Sequence, residues 1–435
     1  MLGPFLPRYS TAGRTPRSPA ILRHGHAQPA EAGEPERCYA FRMDMSLPTP
    51  ASLSTAQARP VSARGSRPCG LYDLSLSELE ARVVELGVPA YRGRQIWTWT
   101  YRQLAADYSV MTNIPATLRD ALATEAPVQL LDPVRTVATD DAETIKTLYR
   151  TADDQVLETV LMLYPNRATV CVSCQVGCAV GCAFCATGLM GLARNLGAGE
   201  MVAQVVGAVR EARLRGRELT NIVMMGMGEP LQNYAATMKF ISIVHDPTGL
   251  DIGARRITVS TSGIVPKIDA LAEEPLQINL AVSLHAPTDD LRSQLVPINR
   301  RYPIATLMAS VDRYIAKTGR RVSFEYALMR GINDGEEIAH QLTALLRGRL
   351  CHVNIIPLNP VDVLPYERPD PDGIERFASI LRCAGIPTTV RYSRGLDIDA
   401  ACGQLRAKEL GLPAPTRASQ RKVPGRRQQL DTAAT

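Results

Sequence analysis

The sequence lacks any run of about 18 apolar residues, so no segment is long enough to cross a bilayer as a helix, and we expect no membrane partner. It also lacks an apolar leader region near its start, and we therefore expect the protein in the cytoplasm. Disulfides are rare in that reducing compartment. A cluster of cysteines in this chain is therefore expected to serve a metal or redox site.

The main body of the chain carries no excess of positive charge. The net charge is +6, but residues 1–68 hold nine arginines and four acids, and residues 413–435 hold five cations and one acid. The residues between these two tails are therefore net acidic. Because the basicity lies in the tails, any nucleic-acid site on the body must be a local patch.

Half of the cysteines lie within residues 171–185. Cys178, Cys182 and Cys185 have the spacing C-x3-C-x2-C, and Phe184 precedes the third of them. Zinc usually takes four ligands from paired hooks, whereas three close thiolates without a fourth suit a 4Fe–4S cubane that keeps one iron open. The spacing predicts such a cluster. A structural zinc loop or buried thiols are the alternatives.

Composition divides the chain into five segments. Residues 1–68 are rich in Pro, Ser, Ala and Arg and are predicted to be disordered; a transit peptide, or a start at Met43 or Met45, is the alternative. Residues 69–130 are predicted to be a helical domain, in which the basic aromatic helix at 91–101 is either a core face or an RNA contact. Residues 131–166 are predicted to form a β-hairpin from strands 144–150 and 156–164. Residues 167–412 form an α/β domain, and the basic tail 413–435 is predicted to be disordered.

From residue 168 onward, strand patterns alternate with helical patterns, which indicates parallel strands with crossover helices. The number of repeats predicts an α/β fold, a partial TIM-like (β/α)6 barrel with one extra strand. In such barrels the chemistry lies at the carboxyl ends of the strands. The predicted strands are 168–173, 221–225, 256–260, 278–283, 322–328, 353–357 and 388–392. The predicted helices are 200–213, 234–244, 304–317, 336–346 and 373–383.

Short polar motifs follow four of these strands. The motif Gly226–Pro230 follows the second strand; its glycines let the backbone approach a ligand, and its carboxylate can hold an ammonium group. Ser260 ends the third strand, Ser283-Leu284-His285 ends the fourth, and Asn359 follows the sixth. Each motif is compatible with an ordinary loop. Together they place hydrogen-bonding groups around one opening of the predicted barrel, at the carboxyl ends of its strands.

Two more residues lie outside these motifs. Cys402 lies in a polar, Arg-containing segment of small residues after the last strand, a setting unlike that of an inert buried cysteine. Glu158 lies inside the second strand of the hairpin, where a single carboxylate usually faces solvent. The residues alone assign Glu158 no role.

Taken together, the motifs resemble the RlmN/Cfr family of radical SAM RNA methyltransferases over about residues 71–412. The resemblance implies a 4Fe–4S cluster held by Cys178, Cys182 and Cys185. It implies an S-adenosylmethionine site formed by Gly228, Glu229, Ser260, Ser283, Leu284, His285 and Asn359. It also implies that Cys402 carries a methyl group, that Cys171 is the second catalytic cysteine, and that Glu158 is the proton acceptor.

The same resemblance implies a reaction that uses two molecules of S-adenosylmethionine. Adenine C2 is electron-poor and does not attack a sulfonium methyl group, so Cys402 would first take the methyl group. A 5′-deoxyadenosyl radical from the second molecule would take a hydrogen from the S-methyl group, and the carbon radical would add to C2. Glu158 would then remove the C2 proton, and Cys171 would release the product as a Cys171–Cys402 disulfide.

The implied substrates are adenine 2503 of 23S rRNA and adenine 37 of tRNAs. The implied protein partner is an electron donor such as flavodoxin or ferredoxin, and we expect a monomer. The sister activity, methylation at C8 of the same rRNA base, is the nearest alternative; the full helical domain before residue 130 favours C2. A cluster-bearing RNA-binding protein without turnover is the alternative from another class. Two residues depart from the family pattern: Cys174 replaces the more common Ser, and Leu192 replaces the more common Phe. We expect slightly altered packing without loss of activity.

Overall fold

The computed structural model describes residues 69–359 and 364–392. Within these two ranges, no helix is long and apolar enough to cross a membrane. The predicted disordered segments 1–68 and 413–435 lie outside the described residues, and so does Cys402.

Three helices precede the first strand: α1 (Leu76–Glu85), α2 (Tyr91–Tyr101) and α3 (Ala116–Glu125). Short 3-10 turns flank them at Leu71–Asp73 and Tyr108–Val110. Ser75 begins α1 with a reciprocal cap, because its hydroxyl accepts the N–H of Glu78 and the Glu78 carboxylate accepts the N–H of Ser75. The helical prediction for this part of the chain is therefore matched by three helices.

The aromatic face of α2 packs into the core. Trp97 and Tyr101 are buried, and their ring centroids lie 4.4 Å apart. The core-face alternative is therefore correct for these two rings, which cannot stack on RNA bases. Tyr91 and Arg94 lie on the exposed side of the same helix.

An antiparallel three-stranded unit follows, made of β1 (Leu131–Ala138), β2 (Thr144–Thr151) and β3 (Val156–Tyr164). The predicted hairpin corresponds to β2 and β3. The extra strand β1 was not predicted; it is an exposed edge strand with a bulge between Pro133 and Arg135, so its side chains show little alternation in burial.

Strand β3 continues into the main sheet by pairing antiparallel with the next strand. From there seven strands run parallel, and each lies beside the one that follows it in the next sentence. These strands are β4 (Arg167–Cys171), β7 (Asn221–Met224), β8 (Ile257–Thr261), β9 (Asn279–Ser283), β10 (Val322–Leu328), β11 (Cys351–Pro357) and β12 (Thr388–Val390). A separate two-stranded ribbon pairs β5 (Gln175–Gly177) with β6 (Leu192–Asn195).

Helices connect the parallel strands. They are α4 (Ala186–Leu189), α5 (Ala198–Leu214), α6 (Tyr234–His245), α7 (Val265–Glu273), α8 (Asp289–Leu295), α9 (Ile304–Thr318), α10 (Glu336–Leu346) and α11 (Pro371–Cys383). Strands that helices cover have largely apolar sequences. Ile257 and Val259 of β8, for example, are fully buried. Each such side chain contributes about 1.5–3 kcal/mol of burial free energy.

The predicted α/β class is confirmed. Each predicted strand of the parallel sheet lies within two residues of an observed one, and the strand predicted at 322–328 has the observed bounds. The predictions missed α4, α7, α8 and the β5–β6 ribbon. Within the described residues the sheet is a ten-stranded ladder with β1 and β12 at its edges.

Candidate active site

A cavity of about 620 Å³ opens at the carboxyl ends of the parallel strands. Its wall includes the side chains that the sequence placed at the strand ends, together with others that the sequence did not indicate. Cys178, Cys182 and Cys185 line it, and so do Glu158 and Cys171.

The β5–β6 ribbon shapes the loop that carries the three cysteines. Gly177 has a φ of +83°, and a Cβ atom on it would lie 1.9 Å from the carbonyl oxygen of Gly191. The next residue, Cys178, donates its N–H to that same carbonyl at 2.8 Å. The N–H of Cys185 donates to the carbonyl of Cys182 at 3.2 Å. A tight loop with backbone bonds at both ends therefore directs the thiols toward the cavity.

The surroundings of the loop are apolar. Phe184 lies edge-on to His285 with ring centroids 4.8 Å apart, and Val180 and Leu358 belong to the same buried cluster. Burial raises the pKa of Cys178 to about 11 and also raises that of Cys182, and repulsion from the neighbouring thiols adds to both effects. Three thiolates can coexist here only with a strongly cationic group among them, which is what an iron–sulfur core supplies.

The donor set fits a cubane. Three thiols without a carboxylate or imidazole partner are the ligands that 4Fe–4S clusters take. Among the described residues, no three Cys, His, Asp or Glu side chains converge closely enough to share a single metal ion. A cubane has a different requirement, because each cysteine binds its own iron. Cys174 is buried and does not line the cavity.

Glu229 is fixed between the ends of β7 and β8. One carboxylate oxygen accepts the N–H of Leu231 at 3.0 Å, and the other accepts both the N–H and the hydroxyl of Ser262 at 2.7 Å. Gly228 before it has a φ of +106°, and a Cβ atom there would lie 2.6 Å from Gln175. Burial raises the pKa of Glu229, and these hydrogen bonds oppose the shift.

His285 is held as a neutral ring. Its backbone adopts a φ of +60°, and its Nδ1 accepts the N–H of Ala327 at 2.9 Å. Burial lowers the pKa of His285 to about 3. The proton therefore lies on Nε2, which can donate a hydrogen bond to a ligand.

The other residues predicted around the mouth divide into two groups. Ser260, Ser283 and Asn359 line the cavity. The Oδ1 atom of Asn359 is buried and has no hydrogen-bond partner among the described residues, so it is available to a ligand. The side chain of Leu284 instead packs in the core; its carbonyl accepts a hydrogen bond from Arg292, and its N–H donates to Glu325.

Glu158 is buried beside a lysine that the sequence analysis did not identify. Lys146 lies on β2 with its Nζ 2.8 Å from the Glu158 carboxylate, and the two side chains are 0% and 3% exposed. The β2–β3 register pairs Lys146 with Val160 and Leu148 with Glu158, which makes the two charged residues diagonal neighbours on one face. The sequence did hold a signal for this pair. Lys146 lies two positions before Leu148, which is the residue opposite Glu158 in the hairpin.

Cys171 ends β4 in the same cavity. Burial raises the pKa of its thiol to about 11, while the positive charges of Arg391 and Lys146 act in the opposite direction. The structure thus places Glu158, Cys171 and the three cluster cysteines around one cavity. The predicted partner of Cys171, Cys402, lies outside the described residues.

Glu325 is a second residue that the sequence analysis missed. It lies on β10, level with Ser283 on β9 and Asn354 on β11. Asn354 donates to one of its oxygens at 2.8 Å, and the other oxygen has no hydrogen-bond partner among the described residues. Burial raises the pKa of this carboxyl group. It can accept a hydrogen bond from a ligand in the cavity or, when protonated, donate one.

Comparison with known proteins first gives the class. Residues 172–342 match the sequence model of the radical SAM superfamily. A crystal structure of a radical SAM methyltransferase from Sphaerobacter thermophilus superposes with a TM-score of 0.77 at 66% identity, covering 78% of this chain and 99% of that one. The chain is a radical SAM enzyme, and its cofactors are a 4Fe–4S cluster and S-adenosylmethionine.

The N-terminal helical domain and the similarity of most of the chain to known proteins identify the family. Residues 69–128 match the N-terminal domain of ribosomal RNA large subunit methyltransferases. The probable dual-specificity RNA methyltransferase RlmN of Roseiflexus castenholzii is 48% identical over 392 residues, covering 80% of this chain and 98% of the relative. The same-named protein of Symbiobacterium thermophilum is 49% identical over 334 residues, covering 77% and 90%. The chain belongs to the RlmN family of radical SAM RNA methyltransferases.

Proposed function

We propose that this chain methylates C2 of adenine 2503 in 23S rRNA and C2 of adenine 37 in tRNAs, through an S-methylcysteine formed on Cys402. One observation carries the proposal: a buried carboxylate, Glu158, and a separate thiol, Cys171, face the cavity lined by the three cluster cysteines. Methylation at an electron-poor carbon needs both groups, a base for the proton that leaves the ring and a thiol that frees the product.

The cluster, when bound, supplies the electron that cleaves S-adenosylmethionine and so starts the radical chemistry. Glu229 would hold the ammonium group of S-adenosylmethionine, because neutral donors fix its carboxyl group in the cavity wall and the positive charge of that ammonium group would favour its ionised form. The Nε2–H of His285 and the free amide oxygen of Asn359 would orient the nucleoside. An electron donor such as flavodoxin or ferredoxin would deliver the electron.

Glu158 would accept the C2 proton once the methylene carbon on Cys402 has joined the ring, and the unpaired electron left on the ring would have to return to the cluster for the ring to regain its aromaticity. Lys146 fixes the position of that carboxylate by an ion pair of 2.8 Å. Cys171 would then attack the sulfur of Cys402; the electron pair of the broken carbon–sulfur bond goes to the carbon, which takes a proton and becomes the methyl group. The two sulfurs are left as a disulfide, and an external thiol must reduce it before the next turnover.

Nucleoside mass spectrometry tests the proposal. The full-length protein would be incubated anaerobically with S-adenosylmethionine, a reductant and either 23S rRNA or tRNA, and the RNA would then be digested. We expect 2-methyladenosine from both RNAs and none with Glu158→Gln. Finding 8-methyladenosine would instead assign the sister activity. An intact cluster that cleaves S-adenosylmethionine without methylating either RNA would refute the RNA substrates.

A further inference from the structure

A fully buried arginine lies directly behind the candidate site. Arg292, on α8, is 0% exposed and does not line the cavity. Its guanidinium donates to the backbone carbonyls of Leu284 at 3.1 Å, Ser262 at 2.6 Å and Ser283 at 3.1 Å. Its remaining nitrogen donates to the side-chain oxygen of Asn299 at 2.9 Å. All four acceptors are neutral.

No carboxylate forms an ion pair with Arg292 in the part of the chain that the structure describes. The nearby Asp289 is instead held by the side-chain amide of Asn299 at 2.8 Å and by the N–H of Ile304 at 2.8 Å. Burial lowers the pKa of Arg292 to about 10, which still leaves it protonated at neutral pH. A buried charge without a counter-charge costs several kcal/mol, so an anion elsewhere must offset it.

The loop that carries the proposed cluster ligands packs against the helix of Arg292. Cys182 packs against the same apolar cluster as Leu291 and Leu295, which lie on either side of Arg292 in the sequence of α8. The two segments are also joined by a backbone bond, because the N–H of Ala183 donates to the carbonyl of Leu295 at the end of α8, at 2.9 Å. The distance between the arginine and the loop is therefore fixed by the fold.

We propose that Arg292 is the buried counter-charge of the iron–sulfur cluster and raises its reduction potential. A cubane with three thiolates is an anion, and one-electron reduction adds a negative charge without a proton. A fixed cation nearby stabilises the reduced form more than the oxidised form, and net charge is one of the factors that set such potentials. Arg292 acts through the cluster and is a positioning residue. The inference rests on the proposed ligands Cys178, Cys182 and Cys185.

An EPR-monitored redox titration of the reconstituted full-length enzyme, with dithionite as electron donor and without RNA, tests the inference. Arg292→Gln removes the charge, and Arg292→Lys keeps the charge but loses the planar fork of donors. We expect Arg292→Gln to lower the equilibrium constant for reduction about tenfold, which for one electron is about 59 mV toward more negative potential. Arg292→Lys should stay close to wild type. Arg313→Gln, which removes an exposed arginine, is the matched control and should leave the potential unchanged.

A second variant tests the opposite sign. Asp289→Asn removes the nearest acid while an amide can keep its hydrogen bonds, so it should shift the potential upward even if Arg292→Gln fails to fold. An unchanged potential in a folded Arg292→Gln protein, or an unchanged or lower potential in Asp289→Asn, would overturn the inference. A wild-type protein that assembles no cluster would overturn the ligand assignment along with it. The identity of the RNA product does not enter this measurement, so the two proposals fail separately.

Discussion

Replacing Lys146 by methionine should destabilise the protein far more than removing an exposed lysine. The Lys146–Glu158 pair is almost fully buried, with 2.8 Å between the charged atoms. At an effective dielectric constant of about 20, two unit charges at that separation attract one another by about 6 kcal/mol. Desolvation of both groups cancels much of this attraction. Deleting one partner, however, removes the counter-charge of a buried group and costs about 3–5 kcal/mol.

The assay is urea unfolding followed by circular dichroism, with a double-mutant cycle. Lys146→Met and Glu158→Gln should each lower the free energy of unfolding by about 3–5 kcal/mol, because each removes the close counter-charge of a buried group. The double variant should cost about 2 kcal/mol less than the sum of the two, because both charges of the pair are removed together. Lys317→Met is the matched control; its partner Glu273 is 66% exposed, and this surface pair should be worth about 0–1 kcal/mol. Equal losses for Lys146→Met and Lys317→Met, or strictly additive losses in the cycle, would refute the reasoning.

Four other outcomes are expected. Cys402→Ala should keep the visible absorption of the cluster and abolish methylation, whereas Cys182→Ala should bleach the cluster; normal methylation by Cys402→Ala would exclude the methyl-carrier role. Glu229→Gln should weaken S-adenosylmethionine binding about 10–100-fold in calorimetry, because a charge-assisted contact worth about 1.5–3 kcal/mol is lost. Because the folded pKa of His285 is about 3, only the unfolded chain gains its proton as the pH falls below about 6.5, so stability should drop between these values. His285→Asn should flatten that decrease in urea unfolding measured across the same pH range. Deleting residues 413–435 removes five cations and should reduce the slope of log K against log salt for RNA binding by up to about 4, with product identity unchanged.

The parallel strands could be predicted because burial on both faces requires apolar, β-branched residues. The strand Val322–Leu328 is buried along almost its whole length, and its observed bounds match the predicted ones. Elements too short to complete a periodic pattern were missed, as with the seven-residue α8 and the three-residue β5. The edge strand β1 was missed because its exposed side chains follow no burial pattern.

The residues of the candidate site also divide into those that the sequence could predict and those that it could not. Cys178, Cys182 and Cys185 are local in sequence, so their spacing alone indicated a common ligand. The pairing of Lys146 with Glu158 depends on the register of two strands, and a shift of one residue would place these side chains on opposite faces. Arg292 reads as an ordinary polar residue on a short helix, and only the fold shows that four neutral oxygens surround it.

The charged groups around the site are of two kinds: one pair of opposite charges, and two groups that neutral partners hold in place. Lys146 and Glu158 neutralise one another inside the protein, so that pair leaves no net charge in the cavity. Glu229 and Arg292 do not pair with an opposite charge in the described part of the chain; neutral donors hold the carboxylate, and neutral acceptors hold the guanidinium. Ser262 contributes to both, through its N–H and hydroxyl to Glu229 and through its carbonyl to Arg292. A single strand end thus positions one carboxyl group and one guanidinium, neither of which is paired with an opposite charge among the described residues. This arrangement matches a cationic sulfonium substrate that must lie against an anionic cluster.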